Sequence, residues 1–381
     1  MNSSENSKFS KKMIRYLSKY KSPRLFSGCY FEIKLSDSKN FNEKTIGQLV
    51  GKSGERKEEF FSLTGVKPHI EYSDEPPTLI LSKYNPRDLK IAHLLGERFK
   101  TSKSWSSSSI NKHFKQLEES LIREERTLGE QVLAEYWPEK VTSHLATLVG
   151  RMQNERYSPS QTLLAHSKEI AREVKKLAEA LSLDSVKLQR MALLHDIGKI
   201  VLPYYQHTSS KVLELIPELN EDIELSEVVT SHHNPLGSFN SPYVALVTLI
   251  NRVISQSHFI NLGGEGASAP FKESIEKLLT SKVEEAQISH FYVVSSFYHF
   301  WFILRFPKEN QEELTRQLTD EIYPLTNKYL NSENVKDSRE SNNLSVTLFW
   351  LPEVESEEKI SFTRLKLLDS VPVESNDQHI T

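Results

Sequence analysis

Ala192-Leu193-Leu194-His195-Asp196-Ile197-Gly198-Lys199 is the stretch that most restricts what this chain can be. An apolar run drives into a His-Asp pair, breaks at a glycine and is followed at once by a lysine. Imidazole and carboxylate side by side at the end of a buried helix each need a partner once water is gone. A divalent metal ion is one partner that satisfies both.

Further histidines lie where such a site would need them. Leu163 to Leu181 has helical spacing, with Ile170, Val174, Leu177 and Leu181 on one stripe and His166 four residues before Ile170 on the same stripe. His207 falls in a loop after Gly198. His232-His233 closes a helix that begins near Leu225, and Asn251 shares the apolar face of a helix from Tyr243 to Ile254 with Val247 and Ile254. A lone inward histidine is usually a hydrogen-bonded core residue. Five histidines and an aspartate carried on three helices and a loop form a pattern.

The 381 residues are enough for two or three domains. With 38% hydrophobic and 26% charged residues the composition is globular, and no run of about 18 apolar residues exists to span a membrane. The basic, polar N-terminus has no apolar core, so it does not read as a secretory signal. The lone Cys29 fits a reducing compartment, and a cytoplasmic location is the expectation. A net charge of −3 means that any nucleic-acid surface must be local.

Residues 1–26 read as a loose arm. From Ser27 the spacing predicts a strand to Leu35, a helix over Asn42–Val50, the loop Gly51-Lys52-Ser53-Gly54 and a helix over Glu55–Leu63. Strands at Val66–Tyr72 and Thr78–Ser82 and an amphipathic helix over Arg87–Phe99 follow. This β-α-α-β-β-α order resembles a KH domain, a single-strand-binding module whose GxxG loop clamps nucleic-acid backbone. Glycines let phosphates approach and free amides at the next helix start attract anions. Gly51, Lys52, Ser53, Gly54 and Arg56 are the RNA-binding candidates, with Lys57 adding charge and Glu55 opposing it.

Residues 101–140 read as a helical connector, its helix running from Ile110 to about Tyr136 with a thin stripe of Ile110, Phe114, Leu117 and Leu121. A solvated spacer is the simplest account, and a homodimer seam the other. Residues 141–285 carry the histidines. Over 286–352, two aromatic-rich strands, a helix (Gln311–Leu330) and a further strand (Leu344–Leu351) suggest a small α+β subdomain. Its aromatics with Arg305 and Lys308 read as sheet core or as a base-stacking platform. The acidic tail over 353–381 is mostly disordered, with a short strand near Phe362–Leu368. The expected fold class is α+β multidomain: a KH domain, an all-α HD domain and the C-terminal subdomain.

The histidine pattern is similar to the HD superfamily of metal-dependent phosphohydrolases. With the KH-like unit, Leu148-Val149-Gly150-Arg151, Leu164-Ala165-His166-Ser167 and LLHDIGK, the chain resembles ribonuclease Y from about Ser27 to about Pro352. That resemblance implies a metal-dependent endoribonuclease of single-stranded RNA, acting in mRNA decay or processing, with decay enzymes as candidate partners. It assigns His166, His195, Asp196, His207, His232, His233 and position 251 to one or two divalent ions (Mg, Mn, Zn or Fe). Asp196 and Lys199 become the catalytic pair, with Lys199 on the scissile phosphate.

Three departures stand out. The family's N-terminal membrane helix and coiled coil are missing, so no membrane anchor is expected. The KH loop is less basic. Asn251 replaces the distal aspartate, beside an Arg252 that would compete with a cation if it turned inward, and Gly263–Ala267 keeps only part of a basic loop. Asparagine offers an oxygen without the charge that metal affinity depends on. A catalytically silent RNA-binding scaffold and an HD nucleotide phosphodiesterase are therefore the competing expectations.

Overall fold

The computed structural model describes residues 30–35, 43–72, 77–83, 85–101, 105–137, 141–158, 161–235, 239, 241–259, 269–296, 299–306, 311–330, 345–352 and 361–365. The expected arm, Cys29, the loop at 263–267, the loop at 336–343 and most of the tail lie outside these residues. Contacts gather the described residues into two compact units. One holds those up to Lys168 together with Asp196–His207; the other holds Glu169–His195 and those from Thr208 on.

The first unit opens with β1 (Tyr30–Lys34), α1 (Glu43–Val50), a 3-10 turn over Lys52–Gly54 and α2 (Glu55–Thr64). It continues with β2 (His69–Glu71), β3 (Thr78–Ser82) and α3 (Pro86–Thr101). The strands form an antiparallel sheet in the order β1-β3-β2, with Ile33 and Ile70 both registered on Leu79. Alternation puts Ile33, Ile70, Leu79 and Leu81 inward, where Phe60 and the Leu89, Ala92, Leu95 and Phe99 stripe of α3 complete a core.

Helix α4 (Ser107–Tyr136) starts where the Ser106 hydroxyl accepts the Ser109 amide at 3.3 Å. It is no solvated spacer: Ile110, Leu117, Leu121, Glu125, Gly129, Val132 and Leu133 are buried. The stripe read from the sequence stopped at Leu121, whereas the buried face runs on through glycine and a carboxylate. Its partner is α5 (Ser143–Arg151). A Cβ on Gly129 would lie 1.7 Å from the Ala146 carbonyl oxygen, and one on Gly150 1.6 Å from that of Glu125. The two backbones touch, and only glycine permits it.

Beyond α5, a ribbon of β4 (Arg156–Ser158) and β5 (Gln161–Thr162) leads into α6 (Leu163–Ala180). The all-α expectation for residues 141–285 is corrected by this ribbon, whose five residues are too few to signal a strand pattern. Helices α7 (Ser185–Leu194), α8 (Gly198–Val201), α9 (Lys211–Leu215), α10 (Ile223–Ser231) and α11 (Pro242–Phe259) follow. Asp184 caps α7 through the Lys187 amide (3.0 Å), and Asp222 caps α10 through the amides of Glu224 and Leu225. In the second unit α7, α10 and α11 pack on one another.

That unit ends in α12 (Ala269–Glu284), β6 (His290–Ser296), β7 (His299–Phe306), α13 (Gln311–Leu330), β8 (Ser345–Pro352) and β9 (Ser361–Leu365). The sheet runs β6-β7-β8-β9, antiparallel except for the parallel β7-β8 pair, and α13 supplies the crossover that such a pair requires. Phe300, Phe302, Leu348 and Trp350 are buried against Phe271, Ile275 and Leu279 of α12 and Leu314, Leu318 and Ile322 of α13. These aromatics are core, and Arg305 donates from Nη1 to the carbonyls of Leu181 (2.7 Å) and Ser182 (3.1 Å). Phe297, Tyr298 and Lys308 lie outside the described residues.

Candidate metal centre

The HD stretch places its polar pair at the seam between a helix end and a tight turn. His195 caps α7 in helical conformation, and residues 195–197 turn into α8. Both side chains are buried, His195 at 0% and Asp196 at 1% exposure. Burying an imidazole and a carboxylate is costly unless each is given a partner.

In the first unit Asp196 is held by its own turn. Its Oδ2 accepts from Lys199 Nζ at 2.6 Å, and its Oδ1 lies 3.3 Å from His207 Nε2. The Lys199 ammonium stands between the rings of Tyr157 (4.9 Å to centroid) and Tyr204 (5.2 Å). Tyr157 also stacks face to face on His166, with centroids 3.4 Å apart. His166, Asp196, Lys199 and His207 are thus gathered around Tyr157 and Tyr204. Neither tyrosine was a site candidate from sequence, because an aromatic residue outside the motifs carries no spacing signal of its own.

In the second unit His195 and His232 meet edge to face, centroids 5.1 Å apart, and His233 lies 4.3 Å from His232. Asn251 on α11 is buried, with the Ser255 hydroxyl 2.7 Å from its backbone oxygen and 3.2 Å from its Oδ1. Arg252 does not turn into a cation position. Its Nη2 donates to the carbonyls of His233 and Asn234, bracing the turn that carries the paired histidines. Burial lowers its pKa from the ordinary guanidinium value.

One geometric rule recurs. His195 Nδ1 faces the Ala192 carbonyl at 2.8 Å, His232 Nδ1 faces the Val228 carbonyl at 2.9 Å, and His207 Nδ1 faces the Tyr204 carbonyl. A carbonyl only accepts, so each Nδ1 donates to it, and in a neutral ring Nε2 is then the nitrogen able to ligate. This is how a second shell prepares histidine for a metal. His207 Nε2 lies 3.3 Å from Asp196 Oδ1, where a protonated ring would donate to the carboxylate and a neutral one could share a cation with it. The structure contains candidate His/Asp metal-binding groups, drawn from His166, His195, Asp196, His207, His232 and His233.

The GKSG loop is a separate feature. Gly51 (φ +76°), Ser53 (φ +56°) and Gly54 (φ +85°) are all left-handed, and Gly54 caps α2 with no side chain in the way. A Cβ there would meet open space. Lys52 is exposed, whereas Arg56 donates from Nη1 to the Gln48 carbonyl at 3.0 Å.

Comparison with known proteins places these observations. Residues 163–255 match the HD domain family. The segment that carries most of the histidine site is thus similar to the HD domain, a metal-dependent phosphohydrolase fold. More particularly, the chain is similar to ribonuclease Y, of which it is a divergent relative. It is 30% identical to ribonuclease Y of Lawsonia intracellularis over 55% of this chain and 39% of that one. With that of Mesoplasma florum it shares 30% identity over 57% and 42%. With that of Fervidobacterium nodosum it shares 26% over 77% and 54%. The chain therefore spans about half or less of these relatives' length. No solved structure matches. No helix among the described residues is long and apolar enough to cross a membrane.

Proposed function

We propose that this chain is a metal-dependent endoribonuclease that hydrolyses phosphodiester bonds of single-stranded RNA, in RNA decay or processing. The observation that supports the reading is the triple tie of the His195, His207 and His232 Nδ1 atoms to backbone carbonyls, the orientation in which a neutral ring turns Nε2 toward a ligand. His166, His195, Asp196, His207, His232 and His233 are the residues that would hold one or two divalent ions, with Asn251 as a neutral oxygen donor. Imidazole and carboxylate together suit Mn, Fe, Zn or Mg. When bound, the ion lowers the pKa of a water and polarises a phosphoryl oxygen.

The chain's own residues do the rest. Asp196 orients its neighbours through Lys199 and His207. Lys199, held between two rings, is a cation placed to neutralise the scissile phosphate. The elements from β1 to α3 form a KH-like module whose Gly51–Gly54 amides, with Lys52, hold the RNA strand. Arg56 supports that loop through Gln48.

Asn251 favours a second reading, a catalytically silent RNA-binding scaffold. One experiment separates them: cleavage of labelled 5′-monophosphorylated single-stranded RNA with Mn²⁺, Mg²⁺ or EDTA, by wild type, Asp196→Ala and Asn251→Asp. Metal-dependent cutting abolished by Asp196→Ala is the expected result. Cutting by Asn251→Asp alone would make the natural chain silent, and silence in all three with RNA still bound would leave the scaffold.

A further inference from the structure

The loop that delivers His207 carries two aromatic side chains, Tyr204 flanking Lys199 and Tyr205 with no part in the chemistry above. Tyr204 and Tyr205 open a 3-10 turn (Tyr204–Gln206) directly after Pro203, and they are 72% and 80% exposed. Large aromatic faces are normally covered, because each tyrosine has on the order of 150–250 Å² to bury. Here two consecutive ones stand in water within three residues of His207.

Tyr204 is also anchored. Its carbonyl receives the His207 Nδ1 proton, its ring leans on the His207 ring with centroids 5.2 Å apart, and the Lys199 ammonium sits 5.2 Å from its centroid. The ring is therefore fixed to Lys199 and His207, yet most of its surface is open. A fixed aromatic face beside a buried cation offers one surface for a base and one charge for its phosphate.

We infer that Tyr204 and Tyr205 form a base-stacking step that seats an unpaired nucleobase of single-stranded RNA next to Lys199. The inference rests on the nuclease reading for its substrate class. Stacking on an aromatic ring is tolerant of sequence, since every base has a π face. It selects single strands, since a base inside a duplex has both faces covered. The step would thus act on substrate form rather than base identity.

The test needs no turnover. Full-length protein in EDTA is titrated into short RNA oligonucleotides carrying 2-aminopurine at successive positions, whose fluorescence is quenched when the base stacks. Wild type should quench one position strongly in single strands and none in duplexes. Tyr205→Leu should lose that quench and bind roughly tenfold more weakly, in line with the usual effect of removing one stacked base. Tyr205→Phe should restore both. Tyr204→Leu should act alike, but Tyr205 decides, because Tyr204 also touches Lys199 and His207. Equal quenching and affinity in Tyr205→Leu would overturn the inference, and so would absence of RNA binding in the wild type. If wild type fails to cut RNA with any metal but keeps a Tyr205-dependent quench, the nuclease reading falls and the stacking step stands. If it cuts while Tyr205→Leu quenches normally, the reverse holds.

Discussion

Glu125 and Asp196 are both buried carboxylates of one compact unit, 2% and 1% exposed, and they are satisfied in opposite ways. Glu125 is closed. Its Oε1 accepts from Arg87 Nε at 2.9 Å and Asn154 Nδ2 at 3.1 Å, and its Oε2 faces Arg87 Nη2 at 3.5 Å. A planar guanidinium fork and an amide NH2 only donate, and neither nitrogen offers a lone pair to a metal. Asp196 keeps company with Lys199 and with His207, whose Nε2 lies 3.3 Å from its Oδ1 and is a nitrogen of the kind that ligates metals. The first arrangement ties α3, α4 and the turn after α5 together; the second gathers groups able to bind and to react. Burial alone does not distinguish structure from chemistry; the partners do.

The largest expected effect tests that distinction. Glu125→Ala leaves the Arg87 guanidinium, 14% exposed, without its carboxylate and should cost about 3–5 kcal/mol in urea unfolding. Asp196→Ala should cost clearly less, because Lys199 retains two aromatic faces. Mn²⁺ at a hundredfold excess over its dissociation constant should add about 2.7 kcal/mol to wild type and to Glu125→Ala. It should add nothing to Asp196→Ala. Equal costs for the two variants, or a Mn²⁺ gain in Asp196→Ala, would break the comparison.

Glycine gives the same contrast at smaller scale. Gly150→Ala drives a methyl into the Glu125 backbone, which cannot swing aside, and should cost about 3 kcal/mol. Gly54→Ala meets open space but must hold φ near +85°, and should cost about 1 kcal/mol. Thermal unfolding of the two single variants gives the order directly.

Much of this was legible in the sequence where periodicity or an isolated chemical signal carried it. The stripe from Leu89 to Phe99 and the helix bearing His166 follow from spacing. So does the burial of His195 and Asp196 at the end of an apolar run. Helix α12 went unread although Phe271, Ile275 and Leu279 recur every four residues, because charged positions crowd between them. The face of α4 beyond Leu121 was invisible since glycine and glutamate are not apolar signals. Tyr157 and Tyr204 became part of the site only through tertiary contact. The Nδ1 ties were equally hidden, since a backbone carbonyl is present at every position.

Glu155 sharpens the comparison with the smallest effect. It precedes β4, the strand that brings Tyr157 to Lys199, and its Oε2 accepts from Asn85 Nδ2 at 3.3 Å. Burial raises its pKa above 4.5, outweighing the Arg156 amide, Arg151 and Asn85, which lower it. The folded chain therefore holds this proton more tightly than the unfolded one. The resulting stabilisation is complete below pH 4.5 and is lost as pH rises through the raised folded value. Glu155→Gln keeps the neutral form at every pH. Its unfolding midpoint should fall less than that of wild type between pH 4.5 and neutrality, and only slightly so, because Glu155 is half-buried. A larger fall in the variant would mean that the carboxylate's hydrogen bonds outweigh its desolvation. Glu155 would then belong with the closed, structural carboxylates such as Glu125.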